Sequence, residues 1–304
     1  MRAASAPSAR YPLLAQRTRE KWGTPWTRRP KQVPRRAFSP VRNDKSTVGD
    51  AGAMKAMILA AGLGTRLRPL TDDRPKALVE VAGRTLLEIT LSGLRGFGVR
   101  DVIINVHHFG DMVVDYLEKN DNFGMRIEVS REEELLDTGG GLKKAGWFFL
   151  EDSAGRDEPF ILHNVDVIST IDLGRMMEFH KERQALATLA VQERETSRYL
   201  LFDEQLRLCG RLSGHDQQAE FFRSSQQLLV QALGFSGIHV ISPRLLAMMT
   251  EDGAFSIIDS YLRLAAHGEN ILGFRADEYY WRDLGRPENV ARAEQDLKSE
   301  VVSW

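Results

Sequence analysis

From Met54 onward, short apolar runs alternate with stretches in which apolar residues recur every three or four positions. A short unbroken apolar run is typical of a strand buried on both faces, and the longer spacing is typical of a helix with one buried face. The pattern predicts strands at 55–60, 101–106, 125–129, 159–163, 186–191, 233–240, 271–275 and 279–282. It predicts helices at 84–97, 110–119, 139–148, 171–182, 243–249, 257–267 and 286–298.

The regular alternation of strands and helices predicts an α/β domain with a mixed, largely parallel sheet that is flanked by helices on both faces. Residues 199–232 interrupt this order with short strand-like pieces between polar loops. We interpret that region as an insertion that contributes to a substrate lid. The domain is expected to span 54–304.

The first 53 residues differ in composition from the remainder. They hold 12 Lys/Arg, 3 Asp/Glu and six of the 11 prolines, and they show no apolar period. We predict a disordered, basic, Pro/Arg-rich extension. Three origins stay open besides a solvated tail without function: an arm for an anionic partner, a transit-type peptide, or a start assigned upstream of the true one. We favour the third, because Met54 directly precedes the first strand.

Composition narrows the class of protein. Hydrophobic residues make up 42% and charged residues 27% of the chain, a balance typical of globular domains. No apolar run reaches the roughly 18 residues that a membrane helix needs. The lone Cys209 has no partner for a disulfide or a thiolate zinc site. Together with the absence of a secretory apolar segment, these features predict a cytoplasmic protein without a membrane role.

A glycine-rich loop follows the first predicted strand and carries the strongest chemical signal. The segment reads LAAGLGTRLRPLT from Leu59 to Thr71. Ligands of open α/β sheets bind beyond the carboxyl ends of strands, where small residues let backbone amides approach a phosphate. The loop lacks the Gly-Lys-Ser/Thr ending of a Walker loop and the third glycine of the dinucleotide fingerprint. Arg66 and Lys76 add positive charge for phosphate oxygens.

The loop, together with Pro75-Lys76 and the segment 79–87, resembles the signature of the sugar-1-phosphate nucleotidyltransferases. Glu80 departs from the proline that is common at its position. The resemblance covers 54–298 and implies a Rossmann-like fold. It also implies transfer of a nucleotide from an NTP to a sugar 1-phosphate, with release of pyrophosphate and without a covalent enzyme intermediate. Catalysis of this kind requires positioning and charge neutralisation.

The same resemblance implies roles for individual residues. Arg66 would neutralise the triphosphate, and Lys76 would hold phosphate oxygens at the reacting centre. Asp166, after the strand at 159–163, and Asp283 would bind Mg²⁺, which prefers one or two carboxylates with phosphate and water. The alternatives are that Asp166 closes a strand-end turn and that Asp283 caps a helix. The nucleotide-binding residues would be Leu59, Ala60, Ala61, Gly62, Gly64, Thr65, Arg66, Thr138, Gly139 and Gly140.

Two further details of the sequence concern the metal site and the nucleotide. Val165 stands before Asp166 where many members have glycine, so its side chain would either crowd the sugar phosphate or point into the core. The run Asp137-Thr138-Gly139-Gly140-Gly141 follows a strand and opens a helix. At a helix N-terminus, three glycines would expose amides to a ligand. Within the family this run is most similar to that of N-acetylmuramate-1-phosphate uridylyltransferases, although Leu135 replaces their usual proline.

The sugar side of the site is less distinct. Glu134, Asn164, Ser236 and Gly237 are its candidates, while Glu132 and Glu133 are interpreted as a solvated charge run. The Glu-Lys-Pro segment with which some members grip the sugar phosphate is missing.

We predict UTP and N-acetylmuramate 1-phosphate as substrates. A mannose- or heptose-1-phosphate guanylyltransferase is the alternative, and a catalytically silent regulatory subunit is the alternative from another class. No nucleic-acid partner is expected, and the oligomeric state stays open between monomer and homo-oligomer.

Overall fold

The computed structural model describes residues 54–151, 157–213, 218–221 and 230–299. The extension predicted for 1–53 lies outside these residues. The strands are β1 Lys55–Leu59, β2 Glu80–Val81, β3 Arg84–Thr85, β4 Asp101–Val106, β5 Arg126–Arg131, β6 Phe160–Asn164, β7 Val167–Ser169, β8 Ala187–Gln192, β9 Arg198–Phe202, β10 Leu208–Ser213, β11 Gln218–Phe221, β12 Gln231–Ile241, β13 Ile271–Arg275 and β14 Trp281–Asp283. The helices are α1 Leu86–Phe97, α2 Gly110–Lys119, α3 Asp137–Leu150, α4 Leu173–Glu182, α5 Arg244–Ala247, α6 Ile257–Ala266 and α7 Pro287–Lys298.

The central sheet is mixed, and its strands run in the order β11-β10-β9-β12-β6-β1-β4-β5. Strands β6, β1, β4 and β5 are parallel to one another. Strand β12 is antiparallel to β6, β8 and β9, and β13 joins β8 in parallel. This arrangement confirms the predicted α/β class. The parallel half brings the carboxyl ends of β1, β4, β5 and β6 to one edge, which is where ligands of such sheets bind.

Both faces of the sheet are covered, as the unbroken apolar strands predict. Ala56 and Ile58 of β1 belong to one buried cluster, and Met57, between them, belongs to a second cluster on the opposite face. Successive side chains of a strand point to opposite faces, so one strand serves both layers. Helices α1, α2 and α7 contribute to the first cluster, while α3 and α6 contribute to the second.

The region 199–232 contains the predicted short strands, and they belong to the central sheet. Its described residues form β9, β10 and β11, which continue the central sheet in antiparallel order. The long strand β12 makes this possible, because residues 231–234 pair with β9 and residues 238–241 pair with β6. The described part of the predicted lid insertion is therefore an extension of the sheet.

The last predicted strand also has an unexpected partner. Strand β14 pairs with β7 in a separate two-stranded sheet, where Asp283 lies opposite Val167. This pairing brings a segment from near the end of the chain beside the residue that follows β6. No helix in the described ranges combines the length and apolarity that crossing a membrane requires.

Candidate active site

The glycine-rich loop leaves β1 at Leu59 and turns at Gly64, whose φ is 65°. The Gly64 carbonyl accepts hydrogen bonds from Leu67 N at 2.8 Å and Thr71 Oγ1 at 2.9 Å. A Cβ at position 64 would lie 3.0 Å from Thr71 Cγ2 and 3.3 Å from Lys76 Cβ. Both the left-handed backbone and this close packing require glycine.

A cleft of about 290 Å³ opens beside this loop. Its walls come from the loop, from Lys76, and from two residues distant in sequence, Leu135 and Gly285. Gly62, Thr65 and Arg66 of the loop are exposed at the cleft, whereas Ala60 and Ala61 are buried. The sequence indicates the loop, whereas the contribution of Leu135 and Gly285 to the cleft depends on the fold, which brings these distant residues to the loop.

Three of the charged residues predicted for catalysis or metal binding surround Gly285. A Cβ built at Gly285 would lie 2.7 Å from Asp283 Oδ1, 3.1 Å from an Arg66 guanidinium nitrogen and 3.4 Å from Asp166 Oδ2. Two carboxylates and one guanidinium therefore converge on a single point at the edge of the cleft. Asp166 and Asp283 are 117 positions apart in sequence, and the pairing of β7 with β14 brings them together.

Backbone contacts fix the two aspartates relative to each other. Leu284 N donates to the Asp166 carbonyl at 2.7 Å, and Gly285 N donates to Asp283 Oδ1 at 2.6 Å. The Asp283 carbonyl accepts from Asn289 Nδ2 at 2.8 Å. Asp283 thus begins a tight turn before α7, while its carboxylate keeps a second oxygen for other ligands.

Lys76 Nζ forms an ion pair with Asp166 Oδ2, and their side chains are only 16% and 8% exposed. At this burial the charges are little screened by water, and each partner compensates the other. The lysine reaches the aspartate from a short 3₁₀ turn, residues 76–78, that follows the glycine-rich loop. Lys76 therefore connects the loop to the carboxylate pair.

The donor set at this point fits a magnesium ion. Among the residues that the structure describes, no group of three or more His, Cys, Asp or Glu converges on a metal position. Mg²⁺ does not need such a group, because it usually takes one or two carboxylates and completes its shell with phosphate oxygens and waters. Asp166 and Asp283 provide those carboxylates beside an open cleft.

Val165, which departs from the family pattern, does not intrude on the site. Its side chain is 1% exposed and belongs to the buried cluster of β1 and β4. Its backbone N–H donates to the Leu59 carbonyl at 3.2 Å. Of the two orientations considered for this residue, the structure has the one that points into the core.

The first amides of the glycine run at the start of α3 are bonded within the protein, in contrast to the exposure expected of them. Gly139 N and Gly140 N both donate to the Phe255 carbonyl, at 2.9 Å and 3.4 Å, and the Thr138 hydroxyl accepts from Ile257 N at 3.0 Å. A Cβ at Gly139 would lie 2.3 Å from Phe255 Cε2, and one at Gly140 would lie 2.3 Å from the Gly253 carbonyl oxygen. The glycines are buried packing positions, and these amides are directed at the 253–257 segment and not at a ligand.

On the predicted sugar side, Asn164 and Gly237 lie together. A Cβ at Gly237, whose φ is 76°, would lie 3.0 Å from Asn164 Nδ2. Ser236 does not fit its predicted contact, since it is 0% exposed and its hydroxyl has no hydrogen-bond partner. The backbone carbonyl of Ser236 instead accepts from Trp281 Nε1 at 2.7 Å.

Arg194 adds a cation that sequence reasoning missed. Its guanidinium carbon lies 4.0 Å from the centre of the Trp281 ring, and a terminal nitrogen donates to the Phe235 carbonyl at 2.6 Å. Burial lowers the pKa of Arg194, and the negative charge of Asp283 opposes that shift. The residue thus places a partly buried positive charge beside Trp281 and Phe235, within electrostatic range of Asp283.

The acidic run before α3 is not uniformly solvated, which corrects the prediction for Glu132. Glu132 is 5% exposed, whereas Glu133 and Glu134 are exposed. Directly after this run, Leu135 lines the cleft. The burial of Glu132 could not be inferred from its neighbours, because its partner Asn105 lies on another strand.

Histidines near the site are buried and neutral. His163 precedes Asn164, is 7% exposed, and has Nδ1 at 2.8 Å from the Asn164 carbonyl. Burial lowers the pKa of His163 to about 4 and that of His239 to about 3. Both remain uncharged at neutral pH and pack within the sheet.

Comparison with known proteins identifies the family of this chain. The family described as Nucleotidyl transferase matches residues 55–203. N-acetylmuramate alpha-1-phosphate uridylyltransferase of Caulobacter vibrioides is 34% identical, over 80% of this chain and 96% of that protein. Mannose-1-phosphate guanyltransferase of Yarrowia lipolytica is 30% identical over 78% of this chain, which spans 62% of the length of that relative.

Solved structures share the fold at lower identity. HddC from Yersinia pseudotuberculosis, complexed with GMP-PN, matches with a TM-score of 0.62 and 24% identity over 80% of this chain and 99% of that one. UDP-glucose pyrophosphorylase, complexed with UDP-glucose, matches with a TM-score of 0.63 and 16% identity over 82% and 100% of the two chains.

Proposed function

The chain belongs to the nucleotidyl transferase family and is a sugar-1-phosphate nucleotidyltransferase, and from that premise we propose that it joins UTP to N-acetylmuramate 1-phosphate. The observation that carries the proposal is the convergence of Arg66, Asp166 and Asp283 on Gly285, with Lys76 paired to Asp166, at the mouth of the cleft beside the glycine-rich loop. Uridylylation of this sugar phosphate yields UDP-N-acetylmuramate and pyrophosphate. We propose that this reaction serves the recycling of peptidoglycan in the cytoplasm.

Different residues of the site would have different roles in an in-line displacement at phosphorus. The exposed backbone of Gly62 and Thr65 and the Arg66 guanidinium would receive the triphosphate, and Arg66 would neutralise the charge that develops on departing pyrophosphate. Lys76, released from full pairing with Asp166, would hold phosphate oxygens of both substrates in line. No side chain is required as a nucleophile, because the sugar phosphate oxygen attacks directly.

Asp166 and Asp283 would hold Mg²⁺. When bound, the ion supplies charge neutralisation at the phosphate oxygens. Gly285 leaves the space between the two carboxylates open, and Gly285 N already holds one oxygen of Asp283 in place. The two aspartates would therefore orient the ion, while Lys76 balances the charge of Asp166 in the absence of substrates.

The substrate choice rests on similarity and on one feature of the site. The 34% identity with the uridylyltransferase extends over nearly all of that protein. N-acetylmuramate also carries a carboxylate besides its phosphate, and Arg194 offers a partly buried cation on the predicted sugar side. We infer that Arg194 binds an anionic group of the sugar substrate.

The second candidate is a guanylyltransferase that acts on mannose or heptose 1-phosphate. It is favoured by the 30% identity with the mannose-1-phosphate guanyltransferase. With a neutral sugar, the phosphate would be the one anionic group of the sugar substrate that Arg194 could bind. The catalytically silent subunit is disfavoured, because the chain keeps all four charged residues that the family resemblance implies for catalysis and metal binding.

The test is pyrophosphate release by the full chain with Mg²⁺, with UTP, GTP, dTTP and CTP each combined with N-acetylmuramate, N-acetylglucosamine, mannose and heptose 1-phosphates. The control is Asp166→Asn, which keeps the size of the side chain and removes its charge. We expect release with UTP and N-acetylmuramate 1-phosphate, lost by at least about 100-fold in the control.

Release with GTP and mannose or heptose 1-phosphate would favour the second candidate. Nucleotide binding without release from any pair would favour the silent subunit.

A further inference from the structure

Glu132 is a buried carboxylate that connects both walls of the cleft. It lies directly after β5, and its side chain is enclosed, with 5% of the residue exposed. Its Oε2 accepts from Leu136 N at 2.9 Å, next to Leu135, which lines the cleft. Its Oε1 accepts from Asn105 Nδ2 at 2.7 Å.

Asn105 continues this connection to the glycine-rich loop. It lies in β4, between β1 and β5, and its Oδ1 accepts from Ala60 N at 2.7 Å. Ala60 is the first residue of the loop after β1. One continuous chain of hydrogen bonds therefore runs from the loop, through two buried side chains, to the residue beside Leu135.

The packing around this pair leaves it little freedom. A Cβ at Gly141 would lie 2.7 Å from both Asn105 Nδ2 and Glu132 Oε1, so the third glycine of the run makes room for their contact. The backbone of Glu132 is held as well, by its N–H on the Val106 carbonyl at 2.8 Å and by His107 Nδ1 at 2.9 Å from its carbonyl oxygen. A buried network of this kind, with its bonds satisfied, rigidifies its surroundings.

We propose that Glu132 and Asn105 are positioning residues for the nucleoside triphosphate. They hold the glycine-rich loop and the Leu135 wall at the separation that the nucleotide requires, without touching it. The inference rests on the proposed function in one respect, namely that the triphosphate binds in this cleft. It assigns a role to two residues whose side chains do not belong to the charged groups around Gly285.

The proposal can be tested by exchanging the amide and the carboxylate between positions 105 and 132, because this changes which group donates and which accepts each hydrogen bond. In Glu132→Gln, the new amide cannot accept from both Asn105 Nδ2 and Leu136 N, so two donors face each other. In Asn105→Asp, two carboxylates face each other. In the double variant Asn105→Asp/Glu132→Gln, the carboxylate at 105 accepts from Ala60 N and from the amide at 132, whose oxygen accepts from Leu136 N. All three connections are restored with the same net charge.

The matched control is Glu133→Gln, which removes the same charge from an exposed neighbour. We expect each network variant to raise the KM for UTP by about tenfold, while the KM for the sugar phosphate and kcat change by less than about threefold. The double variant should return the KM for UTP to within about threefold of wild type, and the control should leave it unchanged. If Glu132 and Asn105 contributed only to global stability, the variants would contain less folded enzyme, but the KM for UTP would not change selectively.

A second readout does not depend on turnover. Amide hydrogen exchange at Ala60 and Leu136, measured by NMR on the full chain without substrates, should accelerate in each single variant and return in the double variant. Wild-type KM and exchange in both single variants would overturn the inference. Failure of the double variant to restore either readout would do so as well. If wild type releases no pyrophosphate, the proposed function fails, whereas exchange and the Kd for UTP still decide the positioning role.

Discussion

Gly285 has no room for a side chain, because a Cβ there would contact the charged groups of the site. Gly285→Ala places a methyl group 2.7 Å from Asp283 Oδ1, where ordinary contacts begin at 3.4 Å. Gly285 is not among the glycines with positive φ, so the backbone tolerates alanine and the strain falls on the neighbours. The Asp283 carboxylate, held by Gly285 N at 2.6 Å, must withdraw by several tenths of an ångström.

A displacement of this size is costly where geometry sets the rate. Misplacing a reacting group by about 1 Å can lower turnover by about 100-fold. We therefore expect Gly285→Ala to lower kcat by roughly 10- to 100-fold in the pyrophosphate assay and to weaken the dependence on Mg²⁺, which would need a higher concentration for half-maximal rate.

Two alanine variants separate this effect from a general one. Gly96, exposed in α1, has a φ that is not positive, and a Cβ added there would meet no atom within 4 Å, so Gly96→Ala should leave activity unchanged. Gly62 also has free space and lies in the cleft, so Gly62→Ala should raise the KM for the triphosphate and spare kcat. A kcat for Gly285→Ala within twofold of wild type would refute the placement of the reacting centre at Gly285.

Three further predictions concern stability and the sugar side. Gly139→Ala, whose methyl would lie 2.3 Å from a Phe255 ring carbon, should lower the free energy of unfolding by about 1–3 kcal/mol in urea denaturation. Because burial lowers the pKa of His163 to about 4 and of His239 to about 3, the folded state binds fewer protons than the unfolded state below pH 6.5. Stability should therefore fall as the pH drops from about 6.5 to about 4 for His163 and to about 3 for His239, by about 1.4 kcal/mol per pH unit for each histidine, and a flat profile would contradict their neutral burial. Arg194→Gln should raise the KM for N-acetylmuramate 1-phosphate by about tenfold; a smaller loss with N-acetylglucosamine 1-phosphate would assign the contact to the carboxylate, and an equal loss would assign it to the phosphate.

Local pattern predicts the elements of this fold well, because it depends on burial within one strand or helix. The strands at 101–106 and 271–275 and the helix at 110–119 have the predicted bounds. Unbroken apolar strands indicate a sheet covered on both faces, and the two buried clusters confirm it. The short strands predicted within 199–232 are present as β9, β10 and β11, but the pattern does not distinguish a lid from the antiparallel edge of a sheet, where short strands with polar neighbours look alike.

The site is predictable to the extent that its chemistry lies in local motifs. The glycine-rich loop with Lys76, and Asp166 at the end of a strand, are such motifs. The approach of Asp283 depends on the pairing of β14 with β7, and the roles of Gly285 and Arg194 depend on neighbours about 90 to 220 positions away in sequence. The spacing of apolar residues along the chain cannot predict contacts between residues that are so far apart in sequence.

The three glycines of α3 show why a motif and its cause must be separated. Their residue type suggests a requirement for exposed amides, yet each glycine is required by a different close neighbour: Phe255, the backbone of Gly253, and the Asn105–Glu132 pair. An exposed-amide function predicts that alanine at any of the three mainly weakens nucleotide binding. Packing predicts that alanine at Gly139 costs stability, while only alanine at Gly141, which would push apart the pair that holds the cleft walls, raises the KM for UTP selectively. Under the proposed positioning role, Gly141 is the position of this motif that affects the nucleotide, and it does so through the Asn105–Glu132 pair.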